Sequence, residues 1–264
     1  MNTYQSLLEA AKQIAKEAAD HIQATRTNEY QISTKSSTTD MVTSIDKSVE
    51  TFIVQKIRHL YPSHSIIAEE GSDFEGKSDI AWVIDPIDGT TNFIYNFPAY
   101  SVSLAVTERE TTVAGVVMNL AENSMYWASK DGGAFKDNQT IEVRGPEQIS
   151  RSLIGTGFGY SPIRRVSQAN FLHSIIGEVR DIRRAGAASL DLCYLAEGRL
   201  DGYYEAGLKQ WDYAAGSLIV TEAGGIVTGI TELRPNSDLV VAASNPELAD
   251  FLRNKLIPWV PFPD

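Results

Sequence analysis

The sequence contains a single cysteine, Cys193, among its 264 residues. No disulfide can form within one chain, which excludes the small secreted folds that depend on disulfides and favours a reducing compartment. Charged side chains interrupt the first 22 residues, so we expect no signal peptide there. No stretch elsewhere approaches the roughly 18 apolar residues of a membrane span. These absences predict a cytoplasmic protein without a membrane partner.

Basic residues are also scarce relative to acidic ones. The chain has 23 Lys and Arg against 34 Asp and Glu, a formal net charge of −11. This balance argues against nucleic acid or an anionic membrane as the partner. An anionic small substrate stays compatible with it, because bound metal ions reverse the local field at a site. No zinc-site spacing is present among the four histidines, which are His21, His59, His64 and His173.

The first half of the sequence predicts two helices followed by a sheet rich in antiparallel pairs. Apolar residues recur at helical spacing over 7–22 and again over 44–60, where Pro62 ends the pattern. The Ser-, Thr- and Asn-rich segment 25–39 between them predicts a loop. Short apolar runs then predict buried strands at 65–68, 80–84, 100–106, 112–120 and 124–128.

The second half alternates short strands with helices. Strands are predicted at 153–154, 179–183, 201–204 and 239–243, and helices at 166–176, 187–196, 213–223 and 246–256. The whole pattern predicts an α/β fold of the α+β type. We expect an N-terminal α+β lobe over 1–145 and a C-terminal α/β lobe over 146–264, joined in one domain.

One segment carries two closely spaced carboxylates at the end of an apolar strand. It reads Trp82-Val83-Ile84-Asp85-Pro86-Ile87-Asp88-Gly89-Thr90. Pro86 turns the chain after Asp85, and Asp88 then returns a second carboxylate. With the intervening carbonyl of Ile87, these oxygens suit a hard divalent cation. The residues after Gly89 are typical of a helix start, whose amides face an anion. The segment therefore predicts a metal–phosphate site, with an Asx-type bend as the alternative.

Further acids follow other apolar segments. Glu69 and Glu70 end the run Ile66-Ile67-Ala68, and Asp212 precedes the apolar pattern that begins at residue 213. Several carboxylates are needed where two metal ions bridge the attacking and leaving oxygens of a phosphate. Asp46 on the second helix is a supporting candidate, with a solvated helix-face charge as its alternative.

The order and spacing of these blocks resemble the inositol monophosphatase family, within the lithium-sensitive, metal-dependent sugar phosphatases. The resemblance covers residues 35–245. It is carried by Asp40-Met41-Val42-Thr43-Ser44-Ile45-Asp46, Ala68-Glu69-Glu70, residues 82–93, Gly186-Ala187-Ala188-Ser189-Leu190-Asp191-Leu192, Tyr204-Glu205 and residues 211–225. It implies a layered α-β-α-β-α sandwich and a phosphomonoesterase that uses two or three Mg²⁺ ions. Inhibition by Li⁺ and a homodimer are further implications of the resemblance.

The resemblance also implies roles for individual residues. The implied metal ligands are Glu69, Asp85, the carbonyl of Ile87, Asp88 and Asp212. Thr90, backed by Asp46, would position or deprotonate the attacking water, and Glu70 would help to orient it and a weaker third metal. Lys35 would lie in a flap near the site. The implied substrate contacts are Asp88, Gly89, Thr90, Arg183, Gly186, Ala188, Glu205 and Asp212.

The substrate is the least determined part of this interpretation. Ala187 stands where animal members of the family commonly carry a hydroxyl residue, so a side-chain contact is lost there. Inositol monophosphate is the first candidate. Histidinol phosphatase and fructose-1,6-bisphosphatase activities remain as rivals, while the compact chain disfavours a 3′-phosphoadenosine nucleotidase. A regulatory binding role is a further alternative, against which the intact set of acids argues.

The segment Gly71 to Ser78 fits the pattern of a nucleotide-binding P-loop, Gly-x-x-x-x-Gly-Lys-Ser. A P-loop opens a helix, whereas an apolar strand is predicted directly after this segment. Asp73 and Glu75 would also repel phosphate groups. We therefore predict a solvated turn.

Overall fold

Two amphipathic helices cover one face of the larger sheet. The computed structural model describes residues 3–26, 31–35, 40–230, 235–236 and 238–262. Helix α1 (Thr3–Thr25) and helix α2 (Ser44–Leu60) bury their apolar stripes against the sheet, with Leu8, Ile14 and Ile53 among the fully buried side chains. Thr43 and Asp46 form a capping box at the start of α2.

The larger sheet has seven strands in the order β3-β4-β5-β6-β7-β8-β9. All neighbours are antiparallel except β3 and β4, which run parallel. A short helix, α3 (Thr90–Tyr95), follows β4. The strands are β3 (Ser65–Ala68), β4 (Ile80–Asp88), β5 (Ser101–Glu108), β6 (Thr111–Asn119), β7 (Ser124–Ser129), β8 (Ala134–Lys136) and β9 (Gln139–Thr140).

The smaller sheet has five strands in the order β11-β10-β12-β14-β13. Strand β10 runs parallel to both of its neighbours, while β14 is antiparallel to β12 and β13. The strands are β10 (Leu153–Thr156), β11 (Asp181–Arg183), β12 (Gly202–Glu205), β13 (Ile226–Thr228) and β14 (Val240–Ala243).

Four further helices complete the layers. They are α4 (Pro162–Ile175), α5 (Ala188–Ala196), α6 (Gln210–Glu222) and α7 (Pro246–Leu256). Helices α5 and α6 lie between the sheets, since one apolar cluster joins Val83 and Ala105 of the larger sheet to Leu192, Leu218 and Val240. Helices α4 and α7 pack on the other side of the smaller sheet. The predicted layered α-β-α-β-α fold is confirmed. The division into lobes near residue 145 stays a prediction.

Several short elements differ from the sequence prediction. Strands β1 (Ile32–Thr34) and β2 (Met41–Thr43) form an antiparallel hairpin within and beside the predicted loop 25–39. Three-residue strands without a buried apolar face give no periodic pattern, and β8, β9 and β13 were missed for similar reasons. Residues 27–30 and 36–39 of that loop lie outside the described residues. Over the part of the chain that the structure describes, no helix has the length and apolarity to cross a membrane.

A charge network fixes the end of α5 to the larger sheet. The carboxylate of Glu197 accepts hydrogen bonds from the Tyr126 hydroxyl at 2.7 Å and from Lys136 Nζ at 3.2 Å. Arg199 Nε approaches the same carboxylate at 2.7 Å. Glu197 therefore offers a largely buried carboxylate, with 10% of its side chain exposed, whose bonding partners lie on β7, on β8 and after the end of α5.

Candidate active site

A β-bulge brings Asp85 and Asp88 to the same face of the larger sheet. In a regular strand, residues three apart point to opposite faces. Here Asp85 pairs with Ser103 and Asp88 with Ser101, so β4 has one extra residue between the two pairs. Both carboxylates therefore face the helix layer of α5 and α6. Oδ1 of Asp85 also accepts the N–H of Ile87 at 3.0 Å, so the Asx-type bend is present within the acidic segment.

The parallel pairing of β3 and β4 brings a second acidic turn beside the first. Ala68 pairs with Ile84 at the carboxyl ends of the two strands, and the N–H of Glu69 donates to the carbonyl of Ile84 at 3.2 Å. Glu69 and Glu70 therefore leave the sheet next to Asp85. This edge of the sheet collects carboxylates that are up to 19 positions apart in the sequence.

Asp212 approaches the same edge from the middle helix layer. Helix α6 begins at Gln210, earlier than the predicted 213, because Asp212 caps it: Oδ2 accepts the N–H of Lys209 at 2.5 Å. Asp88 is held by the start of α5, where its Oδ2 accepts the N–H of Ser189 at 2.8 Å and the hydroxyl of Ser189 at 2.5 Å. Two helix starts therefore orient two of the predicted metal ligands.

Burial and mutual repulsion act on these acids together. Burial raises the pKa of Asp85 well above its ordinary value, and the charges of Glu69, Asp88 and Asp212 raise it further. The pKa of Asp212 is raised well above its ordinary value by burial and then by the charge of Asp88. Burial also raises the pKa of Asp88 to about 6, against the lowering effect of Ser189. Such a group of buried carboxylates favours binding of protons or of a metal cation.

The side chain of Lys35 shows that the acidic cluster accommodates a cation. Its Nζ lies 2.8 Å from Glu69 Oε1 and 2.5 Å from Glu70 Oε1. Among the described residues, no three acidic, histidine or cysteine side chains are arranged as ligands of one ion. The acids nevertheless lie close enough to shift one another's pKa, and their donors are all oxygen. That donor chemistry fits a hard cation such as Mg²⁺.

Thr90 links the acidic segment to α2. Its Oγ1 lies 3.1 Å from Oδ1 of Asp46 and 3.1 Å from the carbonyl oxygen of Ile87. A hydroxyl has one proton, so Thr90 donates to one of these acceptors at a time and can accept from a water. Asp46 is fully buried, which excludes the solvated helix-face alternative. Burial raises the pKa of Asp46 to about 6, although hydrogen bonds from Thr43 oppose this shift.

Gly89 allows the sharp turn between β4 and α3. Its φ is 84°, which favours glycine, and a Cβ at this position would lie 2.8 Å from the carbonyl oxygen of Ala99. Gly186 has a φ of 94° and precedes the start of α5 in the same region. A Cβ on Gly89 would also approach Ala187 at 3.1 Å. The predicted residues Gly89, Gly186 and Ala188 are therefore close neighbours of Asp88.

Glu205 lies at the end of β12, near enough to Asp88 for the charge of Asp88 to act on it. Its Oε2 accepts the hydroxyl proton of Tyr203 at 2.5 Å. Burial, together with the charge of Asp88, raises the pKa of Glu205 to about 7, although the hydrogen bond from Tyr203 and the charge of Arg184 oppose this shift. Gly157, directly after β10, lies against this carboxylate, because a Cβ at this position would collide with Glu205.

The two neighbouring arginines before α5 differ in what they face. Arg183 Nη1 binds Asp181 Oδ2 at 2.6 Å, and both side chains are about half exposed. The charge of Arg184, in contrast, lowers the pKa of Asp88, Asp191 and Glu205. The sequence reasoning assigned Arg183 to the substrate, whereas the structure brings Arg184 to the acids. Ser189 was likewise given no role, although its bonds to Asp88 identify it as a support of the site.

The segment 71–78 connects β3 with β4. It contains bends and one isolated antiparallel bridge, which pairs Phe74 with Ile66 of β3, and β4 begins at Ile80. No helix begins there, so the P-loop alternative is excluded.

The chain is similar to known proteins over nearly its whole length. The model of the inositol monophosphatase family matches residues 3–257. The chain is 43% identical over 230 residues to a protein of Pasteurella multocida named Nus factor SuhB, covering 85% of each chain. It is 40% identical over 268 residues to inositol-1-monophosphatase SuhB of Mycobacterium tuberculosis, covering 93% of this chain and 91% of the relative. The solved structure of an inositol monophosphatase from Anabaena superposes with a TM-score of 0.83 at 29% identity, covering 98% of both chains.

Proposed function

The chain belongs to the inositol monophosphatase family, and from that premise we propose that it hydrolyses inositol monophosphate or a similar phosphorylated polyol with the help of Mg²⁺. The observation that supports this most strongly is the convergence of Glu69, Asp85, Asp88 and Asp212, from three separate segments, on one edge of the larger sheet. We also propose a cytoplasmic homodimer that Li⁺ inhibits, on the basis of the family resemblance.

The acids would hold the metal ions in two overlapping groups. Glu69, Asp85 and the carbonyl of Ile87 would hold one ion, and Asp85, Asp88 and Asp212 a second, with a weaker third beside Glu70. When bound, Mg²⁺ neutralises phosphoryl oxygens and lowers the pKa of a water molecule. Lys35 would have to move away from Glu69 for the first ion to bind, since its ammonium is paired with the carboxylate that would hold that ion.

Thr90 and Asp46 would guide the attacking water. When the hydroxyl of Thr90 donates to Asp46, the lone pairs of its oxygen would accept a hydrogen bond from the attacking water. Asp46 accepts from the backbone and side chain of Thr43 as well, so its position is fixed by the cap of α2. The amides of Gly89 and Thr90 would receive the phosphate. Such fixed groups act by positioning and electrostatics, which phosphoryl transfer chiefly requires.

The alcohol part of the substrate would lie toward α5 and β12. Asp88, Ala188 and Glu205 would contact its hydroxyls, and carboxylates accept such hydrogen bonds well. Arg184 adds a guanidinium to this side, in the place where the sequence reasoning had put Arg183.

A panel of substrates tests the proposal. We expect Mg²⁺-dependent release of phosphate from inositol monophosphate, measured beside histidinol phosphate, fructose 1,6-bisphosphate and 3′-phosphoadenosine 5′-phosphate. Preference for one of the last three would reassign the substrate within the same chemistry. Absence of Mg²⁺-dependent release from every compound would contradict the phosphatase proposal.

The two arginines provide a matched pair of variants for the substrate side. We expect Arg184→Ala to raise KM about 10- to 150-fold, because a charged hydrogen bond to the substrate contributes about 1.5 to 3 kcal/mol. Arg183→Ala should leave KM within about twofold, since its partner Asp181 is exposed. Steady-state kinetics of both variants at saturating Mg²⁺ provides the measurement. Equal effects of the two substitutions would contradict the assignment of Arg184.

A regulatory role is a second candidate, because relatives from Pasteurella multocida, Vibrio cholerae and Escherichia coli carry the name Nus factor SuhB. In such a role this chain would act by binding a partner. The substitution Asp88→Asn separates the candidates, since it removes a metal ligand and keeps the outer surface. A cellular phenotype that survives this substitution while phosphatase activity is lost would favour the regulatory role.

A further inference from the structure

The carboxylate of Glu50, on α2, has no part in the roles assigned above. It is fully buried, at 0% exposure. A buried charge is costly unless hydrogen bonds compensate it. Oε2 of Glu50 accepts the N–H of Glu70 at 2.7 Å, and Oε1 accepts the N–H of Ser72 at 3.0 Å. Both oxygens therefore bind backbone amides of the turn that carries Glu69 and Glu70.

Helix α2 also binds the segment after β4, through Asp46, which lies one helical turn before Glu50. Asp46 and Glu50 are four residues apart, so they lie on the same side of α2. Asp46 accepts from Thr90 at 3.1 Å, and Thr90 follows directly after the bulge that carries Asp85 and Asp88. One rigid helical turn thus connects the turn after β3 with the turn after β4.

Lys35 and the bond from the Glu69 N–H to the carbonyl of Ile84 hold the first part of the turn after β3, whereas the part that follows Glu70 is held less firmly by its own backbone. Gly71 has a φ of 94°, and its N–H makes a long hydrogen bond of 3.4 Å to the carbonyl of Ala68. The charges of Glu69 and Asp85 repel each other, which raises the pKa of Asp85 beyond the effect of burial. The shorter bonds to Glu50 oppose displacement of this turn.

We propose that Glu50 is a positioning residue that sets the separation between Glu69 and the bulge of β4, and so determines the affinity of the site for divalent cations. The inference rests on the proposed function, since it assumes that these acids bind Mg²⁺. Glu50 contacts no reacting atom. It acts through the backbone amides of Glu70 and Ser72.

The substitution Glu50→Gln tests this role with little change of shape. Glutamine keeps one acceptor, but its amide NH₂ group would face a backbone N–H. We expect the Kd for Mg²⁺, measured by isothermal titration calorimetry, to rise about 10- to 100-fold. Hydrogen exchange at the amides of Glu70 and Ser72 should accelerate. The kcat at saturating Mg²⁺ should recover to within about threefold of the parent enzyme, because excess metal compensates for weaker binding by mass action.

Glu197→Gln is the matched control, because it alters another largely buried, hydrogen-bonded carboxylate outside the site. It should lower the melting temperature without changing the Kd for Mg²⁺. Should Glu50→Gln fail to fold, Glu50→Asp keeps the charge, shortens the reach and should weaken Mg²⁺ binding in the same way. A parent protein that binds Mg²⁺ and a folded Glu50 variant with the same Kd would overturn the positioning role alone. A parent protein that binds no Mg²⁺ would contradict the proposed function itself.

Discussion

Replacing Asp85 by asparagine is expected to lower kcat for phosphate release by about 10³-fold, the largest effect of any single substitution in this chain. Asp85 is the carboxylate that both proposed metal groups share, so its loss weakens two ions at once. Asparagine keeps an oxygen that can accept the N–H of Ile87, which Asp85 now accepts at 3.0 Å. The turn should therefore persist while the charge disappears.

The same substitution should stabilise the protein when no metal is bound. A folded-state pKa above the unfolded value means that the folded chain holds its proton more tightly, so stability falls as pH rises past the unfolded pKa. Asp85 is in this situation, because burial and the charges of Glu69, Asp88 and Asp212 all raise its pKa. Asparagine removes this cost, and we expect the free energy of unfolding at pH 8 in EDTA to increase.

Phosphate release in Mg²⁺ measures the expected loss of kcat, and calorimetric unfolding in EDTA measures the expected gain in stability. Asp201→Asn is the control, because Asp201 also accepts a backbone N–H, from Leu153 at 2.7 Å, but lies at the smaller sheet. It should leave kcat unchanged. An Asp85→Asn protein that retains more than about a tenth of the parent activity would contradict a shared metal carboxylate.

The layered fold was predictable because its long elements have strong periodicity. The bounds of α2 and α7 agree with the predicted 44–60 and 246–256. The acid-rich ends of the apolar strands were equally visible, since Glu69 and Asp85 each follow a buried run. The hydrophobic pattern of the sequence could not predict the bulge in β4. An extra residue changes which face each side chain takes, and only the pairing with β5 reveals it.

The sequence also could not predict which residues come into contact when they are far apart along the chain. Arg183 and Arg184 are chemically alike. Only the structure shows that Arg183 binds the exposed Asp181 while the charge of Arg184 acts on Asp88 and Glu205. Glu50 carried a usable indication: with Asp46 it lies on the same helical face as Ile53 and Ile57, a face that is otherwise apolar. Two acids on a buried helical face indicate that their carboxylates are hydrogen-bonded. The sequence alone does not reveal that the partners of Glu50 are the amides of Glu70 and Ser72.

Replacing Thr90 by valine is expected to lower kcat by about 10²- to 10³-fold while leaving Mg²⁺ affinity nearly unchanged. Valine has the shape of threonine without the hydroxyl, so Asp46 loses the bond of 3.1 Å and the attacking water loses its guide. Metal affinity should persist, because Thr90 contributes no carboxylate. Kinetics at saturating substrate and Mg²⁺, together with calorimetric titration of Mg²⁺, separates the two quantities.

Two neighbouring variants make this test specific to the hydroxyl. Thr90→Ser keeps the oxygen and should restore kcat to within about tenfold of the parent. Thr91→Val removes the hydroxyl of the next, exposed threonine and should have little effect. If Thr90→Val and Thr91→Val reduce kcat equally, the loss arises from the start of α3 and Thr90 has no part in guiding water. If Thr90→Val instead weakens Mg²⁺ binding in proportion to its loss of activity, the threonine acts by supporting the carbonyl of Ile87, to which its hydroxyl also lies at 3.1 Å.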